Sequence, residues 1–537
     1  MTVVSTATEP SRATLDPPVR VESVSLSPLQ ASGLTLLSVL ALCAFGLFDV
    51  VRQNRNLLWS FLGAAAVLLA WNAIVFASAA RTRRTFVLEI VLRKQHYLQA
   101  CAQGSVLLYW GWYWREVYDS AYLIAAQLIF AYVFDMLLCW SRRDIYTMGF
   151  GQFPVVFSIN LFLWFKPNWF YLQFAMVALG FAAKELIRWT RDGRRVHIFN
   201  PSSFPLAVFS LGLILTGTSG ITWANDIATT QFYPPYIYVV LFLVGLPGQF
   251  FFGVTTMTMA AVVTTYIFGL LYFAATGTYF FFDSYIPIAV FLGMHLLFTD
   301  PSTSPRTELG RLSFGALYGL CTVALYAMLG NLGAPTVYDK LLQVPVLNLS
   351  VGLIDRVARS KMLRTLDPAA LGRSLTPRRR NLAYMSIWAA VFAVMSATRG
   401  VGDHHPGQSL QFWQQACQDD RPFACGYLTT LQSTFCKGGS GWACNELGIV
   451  QADVWRDRAQ TVAAFKVGCD RGFQPACLNV VRKADGNDRF TSGPPTLADY
   501  PIILRESKGP ITDLRPSALY ARACTLGWSD ACGRVYP

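Results

Sequence analysis

The chain of 537 residues is 53% hydrophobic and only 14% charged, with a positive mean hydropathy. That balance excludes an ordinary soluble enzyme and describes a polytopic membrane protein with soluble appendages. The formal charge of +13 would suit a nucleic-acid partner, but the Lys and Arg residues lie between apolar runs and no basic groove-reading motif is present, so no nucleic acid is expected.

In chain order, residues 1–30 read as a loosely attached cytoplasmic tail: polar, with Pro and Ser, too little apolar surface for a core, and no signal-peptide pattern. Apolar runs of spanning length follow at 31–50, 57–80, 97–115, 120–140, 149–166, 168–188, 204–223, 233–252, 255–279 and 284–299. Three more lie at 312–332, 337–356 and 381–398, giving about thirteen transmembrane helices. The run at 337–356 is polar for a span, because Asp339, Lys340, Gln343 and Asn348 interrupt it. Counting it lets one alternation gather the basic loops on the cytoplasmic side, including Arg81 to Lys94, Arg188 to Arg195, and Arg356 to Arg380. An odd number of spans then sets 399–537 on the face opposite the N-terminus.

Two stretches break the apolar pattern. In Met294–Gly315 an apolar run passes directly into Thr299-Asp300-Pro301-Ser302-Thr303-Ser304-Pro305, whose prolines and hydroxyl residues cannot continue a helix. The backbone groups they free need partners near the membrane boundary, so the segment is either a capped interfacial turn or the lining of a polar cavity. Upstream, Lys184-Glu185 closes another run and is followed by Phe199-Asn200-Pro201. The two interruptions occupy corresponding places in two halves, the pattern of an internal inverted repeat. Asp135 and His295 are ionisable at membrane depth and so are functional candidates, with a structural ion pair and a satisfied core histidine as the alternatives. Cys43, Cys101, Cys139 and Cys321 lack metal-ligand spacing, so no metal site is expected, and no nucleotide or hydrolase motif stands in a suitable context.

The segments TDPSTSPRTELGRLSFG (299–315), KE with GRRVHIFNPSSFPLAVFSL (184–211) and VPVLNLSVGLIDRVA (344–358) together resemble the membrane subunits NqrB and RnfD of flavin-dependent electron-transfer complexes, in that family's order. The resemblance covers roughly residues 90 to 360 and aligns Asn348 and Asp355 with the family's last span. It implies an integral membrane redox protein that carries electrons through flavin, FMN or riboflavin, to or from quinone, with other redox subunits or electron donors as partners. It implies cofactor-binding roles for Asn200, Pro201, Thr299, Asp300 and Pro301. The family's covalent FMN attachment motif has its nearest equivalent in Ser219-Gly220-Ile221-Thr222, with Thr222 as acceptor, Ile221 in place of a small Ala, and no acidic residue just upstream. A helix-ending cap and turn is the alternative there. Gly245 to Thr256, with Gly248, Gln249 and Thr255, is similar to a further family segment and implies a reversible flavin or quinone contact, against tight helix packing through small residues. Catalytic residues are not assigned.

The other eight cysteines form four couples, each eight positions apart: Cys417/Cys425, Cys436/Cys444, Cys469/Cys477 and Cys524/Cys532. Equal spacing points to a repeated unit. Zinc is the competing explanation, but CxxC spacing and ligating histidines are absent. The stretches FKVGCDRGFQPACLNV and ARACTLGWSDACGRV resemble Cys-rich Sel-like helical repeats of secreted bacterial proteins, which implies one disulfide per helix–turn–helix unit and protein partners for the array. Successive couples start 19, 33 and 55 residues apart, so the array is irregular, with an insertion at about 481–515. Disulfides require an oxidising compartment, such as the periplasmic side of a bacterial inner membrane.

The expectation is thus an all-α polytopic membrane protein of about thirteen transmembrane helices, with an internal inverted repeat and a small disulfide-bonded helical repeat domain. Residues 1–30 form the cytoplasmic tail, 31–398 the transmembrane domain and 399–537 the periplasmic Cys-rich domain. The alternative functions are a transporter on the same scaffold, or a flavin-free membrane scaffold whose outer repeats recruit partners.

Overall fold

A computed structural model describes residues 21–191, 193–371, 375–403, 405–504, 511 and 513–535. The described chain is mostly helical and divides into two units. The first takes the described residues up to Gln231, with Tyr238–Thr265 and Ile288–Phe392; the second takes Phe232–Ile237, Tyr266–Pro287 and the described residues from Ala393 onward. The Cys-rich unit therefore starts slightly before residue 399 and includes two earlier segments.

Six helical stretches among the described residues are long and apolar enough to cross a membrane: Pro28–Leu47, Arg55–Thr82, Ala121–Arg142, Thr255–Thr276, Glu308–Asn331 and Thr336–Ala358. Thirteen spans are not supported. Several apolar runs are broken: 149–166 contains only the nine-residue helix Gln152–Asn160, and 284–299 only the nine-residue Ile288–Leu296. A helix of that length is about 14 Å long, half the thickness of a hydrocarbon core. The runs at 168–188 and 204–223 give sixteen and fourteen helical residues, Tyr171–Leu186 and Ser203–Thr216. Hydropathy alone cannot tell a buried interior segment from a lipid-facing one, and Ile288–Leu296 is buried along its whole length. The polar run does form a candidate span, Thr336–Ala358.

The chain is also not all-α. Strand β1, Val21–Leu26, lies in what the sequence suggests is tail and pairs antiparallel with β2, Phe86–Val91; β3, Ile145–Met148, lies parallel on the other side of β2. A two-stranded hairpin joins β4, Arg188–Arg191, to β5, Arg194–His197. Strands β2, β3 and β4 each follow the end of a helix. Elsewhere in the first unit, an added Cβ at Gly315 would sit 2.1 Å from the Met257 carbonyl oxygen, and one at Gly319 would sit 2.8 Å from that of Ala261. This Gly-xxx-Gly row lets helix Glu308–Asn331 pack directly on helix Thr255–Thr276.

In the second unit each disulfide joins the end of one helix to the start of the next. Cys417–Cys425 links Leu410–Gln418 to Ala424–Lys437, and Cys436–Cys444 continues to Gly441–Val450. Cys469–Cys477 links Arg458–Asp470 to Gln474–Ala484, and Cys524–Cys532 links Pro516–Thr525 to Ser529–Cys532. Trp413, Phe435, Trp442, Phe473 and Tyr500 fill the core. The insertion has no helix or strand over residues 487–496 and is held by side chains: Asn445 Nδ2 and Asn479 Nδ2 both donate to the Thr491 carbonyl, and the Trp442 indole donates to that of Gly493.

Candidate functional site

The FNP turn begins where β5 ends. Asn200 Oδ1 accepts from the Ser202 N–H at 3.0 Å, the Ser202 hydroxyl at 2.8 Å and the Ser203 N–H at 3.1 Å, satisfying donors at the start of helix Ser203–Thr216. Its Nδ2 donates to the Leu297 carbonyl at 2.9 Å, on the segment leading into the TDP turn. The helix Tyr171–Leu186 meets this turn with no side chain between them: a Cβ at Gly180 would lie 2.3 Å from the Pro201 carbonyl oxygen. In the TDP turn the Asp300 carboxylate accepts from the Ser302 N–H at 3.0 Å and the Thr303 hydroxyl at 3.3 Å, while Thr299 donates back to the His295 carbonyl.

Two residues of helix Gln343–Ala358 hold both turns. Asn348 Oδ1 accepts the Asn200 N–H at 3.1 Å and its Nδ2 donates to the Thr303 carbonyl at 3.3 Å. Asp355, two helical turns further toward the helix end, accepts from the Arg306 N–H at 2.9 Å and the Thr307 N–H at 3.3 Å, and pairs with Arg191 at 2.5 Å. Arg191 in turn donates to the Ser304 carbonyl. Backbone groups of both turns are thereby met by protein side chains, as irregular backbone away from water requires.

The turns line a polar cavity of about 430 Å³, and Lys184, Glu185, Asn200, Pro201 and Asp300 all face it. The cavity also takes Arg93, Arg143, Arg188 and Arg195, so that five cationic side chains stand against the carboxylates of Asp135, Glu185 and Asp300. Glu185 is held by Arg188 at 2.5 Å and Arg143 at 3.5 Å, and Lys184 lies 4.0 Å from Asp135. Asp135 also accepts from Gln152 Nε2 at 3.0 Å, whose amide is shared with the Tyr146 hydroxyl. Arg93 and Arg195 are exposed and make no ion pair among the described residues. The Gln152 side-chain oxygen Oε1 is buried without a partner among the described residues.

Two histidines add to the wall. His197 Nε2 is 3.1 Å from Asp300 Oδ2. Burial pushes the Asp300 carboxyl up, but the bonds from His197, the Ser302 N–H and the Thr303 hydroxyl outweigh it and hold the group below the usual carboxylate range. Burial, reinforced by the Lys184 and Arg93 cations and opposed by Asp300, pushes His96 down to about 4, so it is neutral at pH 7.

The other anticipated residues lie elsewhere. Ser219, Gly220 and Thr222 follow the far end of helix Ser203–Thr216, about 20 Å along the axis from Asn200. Thr222 is buried, its hydroxyl donates to the Ser219 carbonyl at 2.8 Å, and its backbone bridges to Phe165. The Trp223 N–H binds the Trp164 carbonyl, and Lys166 reaches the Gly220 carbonyl at 2.8 Å. Gly248, Gln249 and Thr255 do not line the cavity. Gln249 is buried with both amide atoms unpartnered, beside His295, whose Nδ1 bonds the Phe291 carbonyl at 2.8 Å. Thr255 is buried near Asn381, which caps the Phe250 carbonyl. Pro301 and Thr299 shape the TDP turn without facing the cavity. Arg93, His96, Arg143 and His197 were not singled out by sequence as site residues; the basic loops and the residues flanking FNP were the available signal. Among the described residues no group of three or more His, Cys, Asp or Glu side chains is placed to hold a metal ion.

No family model, no curated protein and no solved structure matches this chain.

Proposed function

We propose that the chain is an integral membrane redox protein of the NqrB and RnfD kind, working within a larger complex and holding FMN reversibly in the cavity beside the FNP and TDP turns. The observation that carries this reading is the convergence of Lys184-Glu185, Asn200-Pro201 and Asp300, from two separate motif segments, on one polar space. Its volume is in the range of cofactor sites. Arg93 and Arg195, without an ion pair among the described residues, suit a phosphate, and the unpartnered side-chain amide oxygen of Gln152 suits a ring N–H. Bound flavin would supply the electron chemistry; the protein's residues bind the phosphate, orient the ring and keep the turns rigid. The closed Thr222 turn favours reversible binding over covalent attachment there.

A transport function draws support from the two nine-residue helices, Gln152–Asn160 and Ile288–Leu296, because discontinuous helices at a polar site are a transporter's device. Four disulfides require an oxidising compartment, which supports a periplasmic Cys-rich unit on a bacterial inner membrane.

The test is flavin absorbance of the purified full chain. Flavin released on denaturation, retained in Thr222→Ala and lost in the double variant Arg93→Gln/Arg195→Gln, supports the proposal. A protein with no flavin, from cells that supply it, overturns the redox function; fluorescence that stays with the denatured band and vanishes in Thr222→Ala overturns the reversible form.

A further inference from the structure

A second cleft, of about 410 Å³, lies at the end of the candidate span Thr336–Ala358. Its walls are Trp189 and Thr190 of β4 together with Gly352, Arg356 and Arg359. Arg191 and Asp355 also line it, but they neutralise each other through their 2.5 Å ion pair. Arg356 and Arg359 are exposed and have no ion pair among the described residues, so the cleft carries two uncompensated positive charges. The indole N–H of Trp189 is buried without a partner, leaving one more donor at the same place.

The helix that bears the two arginines has a second feature. Val346, Leu349, Leu353 and Val357 are all exposed, between 49% and 66%, and recur at helical spacing. They form a continuous apolar row on a candidate membrane span, and the row ends beside Gly352, Arg356 and Arg359. Apolar surface leading into a cationic cleft with a tryptophan at its edge has the two-part chemistry of a lipid: chains on one side and an anionic headgroup on the other. A candidate span presents such a row to acyl chains, so a lipid whose headgroup enters the cleft has its chains beside it, a contact that a soluble phosphate ester lacks.

We propose that the Trp189–Arg356–Arg359 cleft is a binding site for an anionic phospholipid, whose phosphate sits between the two guanidinium groups and whose acyl chains follow the Val346–Val357 row. Gly352 makes the cleft passable. A Cβ built there meets nothing within 4 Å, so its missing side chain leaves open space. The site is separate from the flavin cavity and does not depend on that reading.

Native mass spectrometry of the full chain in detergent, with added phosphatidylglycerol or phosphatidylcholine, tests the proposal. The wild-type chain should retain phosphatidylglycerol in preference to phosphatidylcholine, and Arg356→Gln/Arg359→Gln should reduce retention by roughly tenfold or more, as loss of two membrane-surface cations implies. Gly352→Leu should also reduce it, by filling the cleft, without lowering the unfolding temperature; this variant decides the matter if the double variant fails to fold. Equal retention of the two lipids, or unchanged phosphatidylglycerol retention in Gly352→Leu, overturns the site. Displacement of the lipid by an equal concentration of inorganic phosphate assigns the cleft to a soluble phosphate compound and overturns the lipid.

Discussion

The two units solve the same problem, keeping short helices and irregular turns in place, by different chemistry. In the first unit the FNP and TDP turns are held by buried side chains that satisfy backbone groups: Asn200, Asn348 and Asp355. In the second, four turns are closed by covalent bonds between cysteines whose Cα atoms are 4.5–4.7 Å apart. The difference follows from surroundings. Among apolar helices a freed N–H has no water to bind, so a fixed acceptor is the only remedy and it also fixes the turn. A repeat built of helices about ten residues long has little core per unit, and a cross-link limits the unfolded chain. The second unit does use one device of the first: buried Asp499 accepts from the Ser440 hydroxyl and the Trp442 N–H.

The comparison breaks first at Asp355. Replacing it by Ala leaves Arg191 and the Arg306 and Thr307 N–H groups without their acceptor, and about 3–5 kcal/mol of stability should be lost. Thermal unfolding in detergent and faster tryptic cleavage after Arg306 measure it; a variant with unchanged unfolding and protection contradicts the clamp. Asn348→Ala removes two buried hydrogen bonds and should cost about 2–4 kcal/mol. Because Asn348 touches both turns, accessibility at Asn200 and Thr303 should rise together, read by cysteine labelling at adjacent positions; a rise at one turn alone would show the turns to be independent.

In the second unit, Cys436→Ser/Cys444→Ser should destabilise by about 2–3 kcal/mol, the effect of reopening a short loop. Reducing agent, which opens all four disulfides, should destabilise the wild-type second unit by more than that while leaving the Asp355-held turns protected from trypsin. Equal damage to both units on reduction would remove the distinction between them. Peptide mapping without reductant checks the pairing directly.

What sequence made legible divides along the same line. The interruptions at 199–201 and 299–305 stand out because Pro and hydroxyl residues cannot extend an apolar helix, and the cysteine couples stand out because their spacing is equal. The thirteen spans were misread because Phe291 or Val155 counts as apolar whether it faces lipid or, as in the structure, the protein interior. Strand β1 escaped because Val21–Leu26 is a short alternating stretch inside a polar region, and its partner lies 60 or more residues away. The cavity was legible only in its motifs. Arg93, His96 and Arg195 enter it through pairings of strands and helix ends that no local pattern encodes.

The smallest expected effect is a pH dependence that reports on the cavity itself. His96 has its pKa lowered from 6.5 to about 4, first by burial and then by Lys184 and Arg93. The folded state therefore holds the neutral ring, while the unfolded chain takes up a proton as pH falls through 6.5; stability is unaffected above that value and is lost progressively between 6.5 and about 4. His96→Gln should flatten this part of the acid limb. His405, in the second unit, is pushed by burial to about 3 and contributes a similar acid-side loss that His96→Gln leaves in place. The two histidines separate when an anion is added. A phosphate group beside Arg93 offsets the cations that depress His96, raises its pKa and so lessens the acid-side loss, while His405 is shifted by burial alone and should not respond. Unfolding temperatures measured on either side of pH 6.5, with and without FMN, check this. FMN bound to the folded state raises the unfolding temperature at every pH, so the diagnostic is the extra gain below pH 6.5: if that extra gain persists in His96→Gln, the anion does not act through His96.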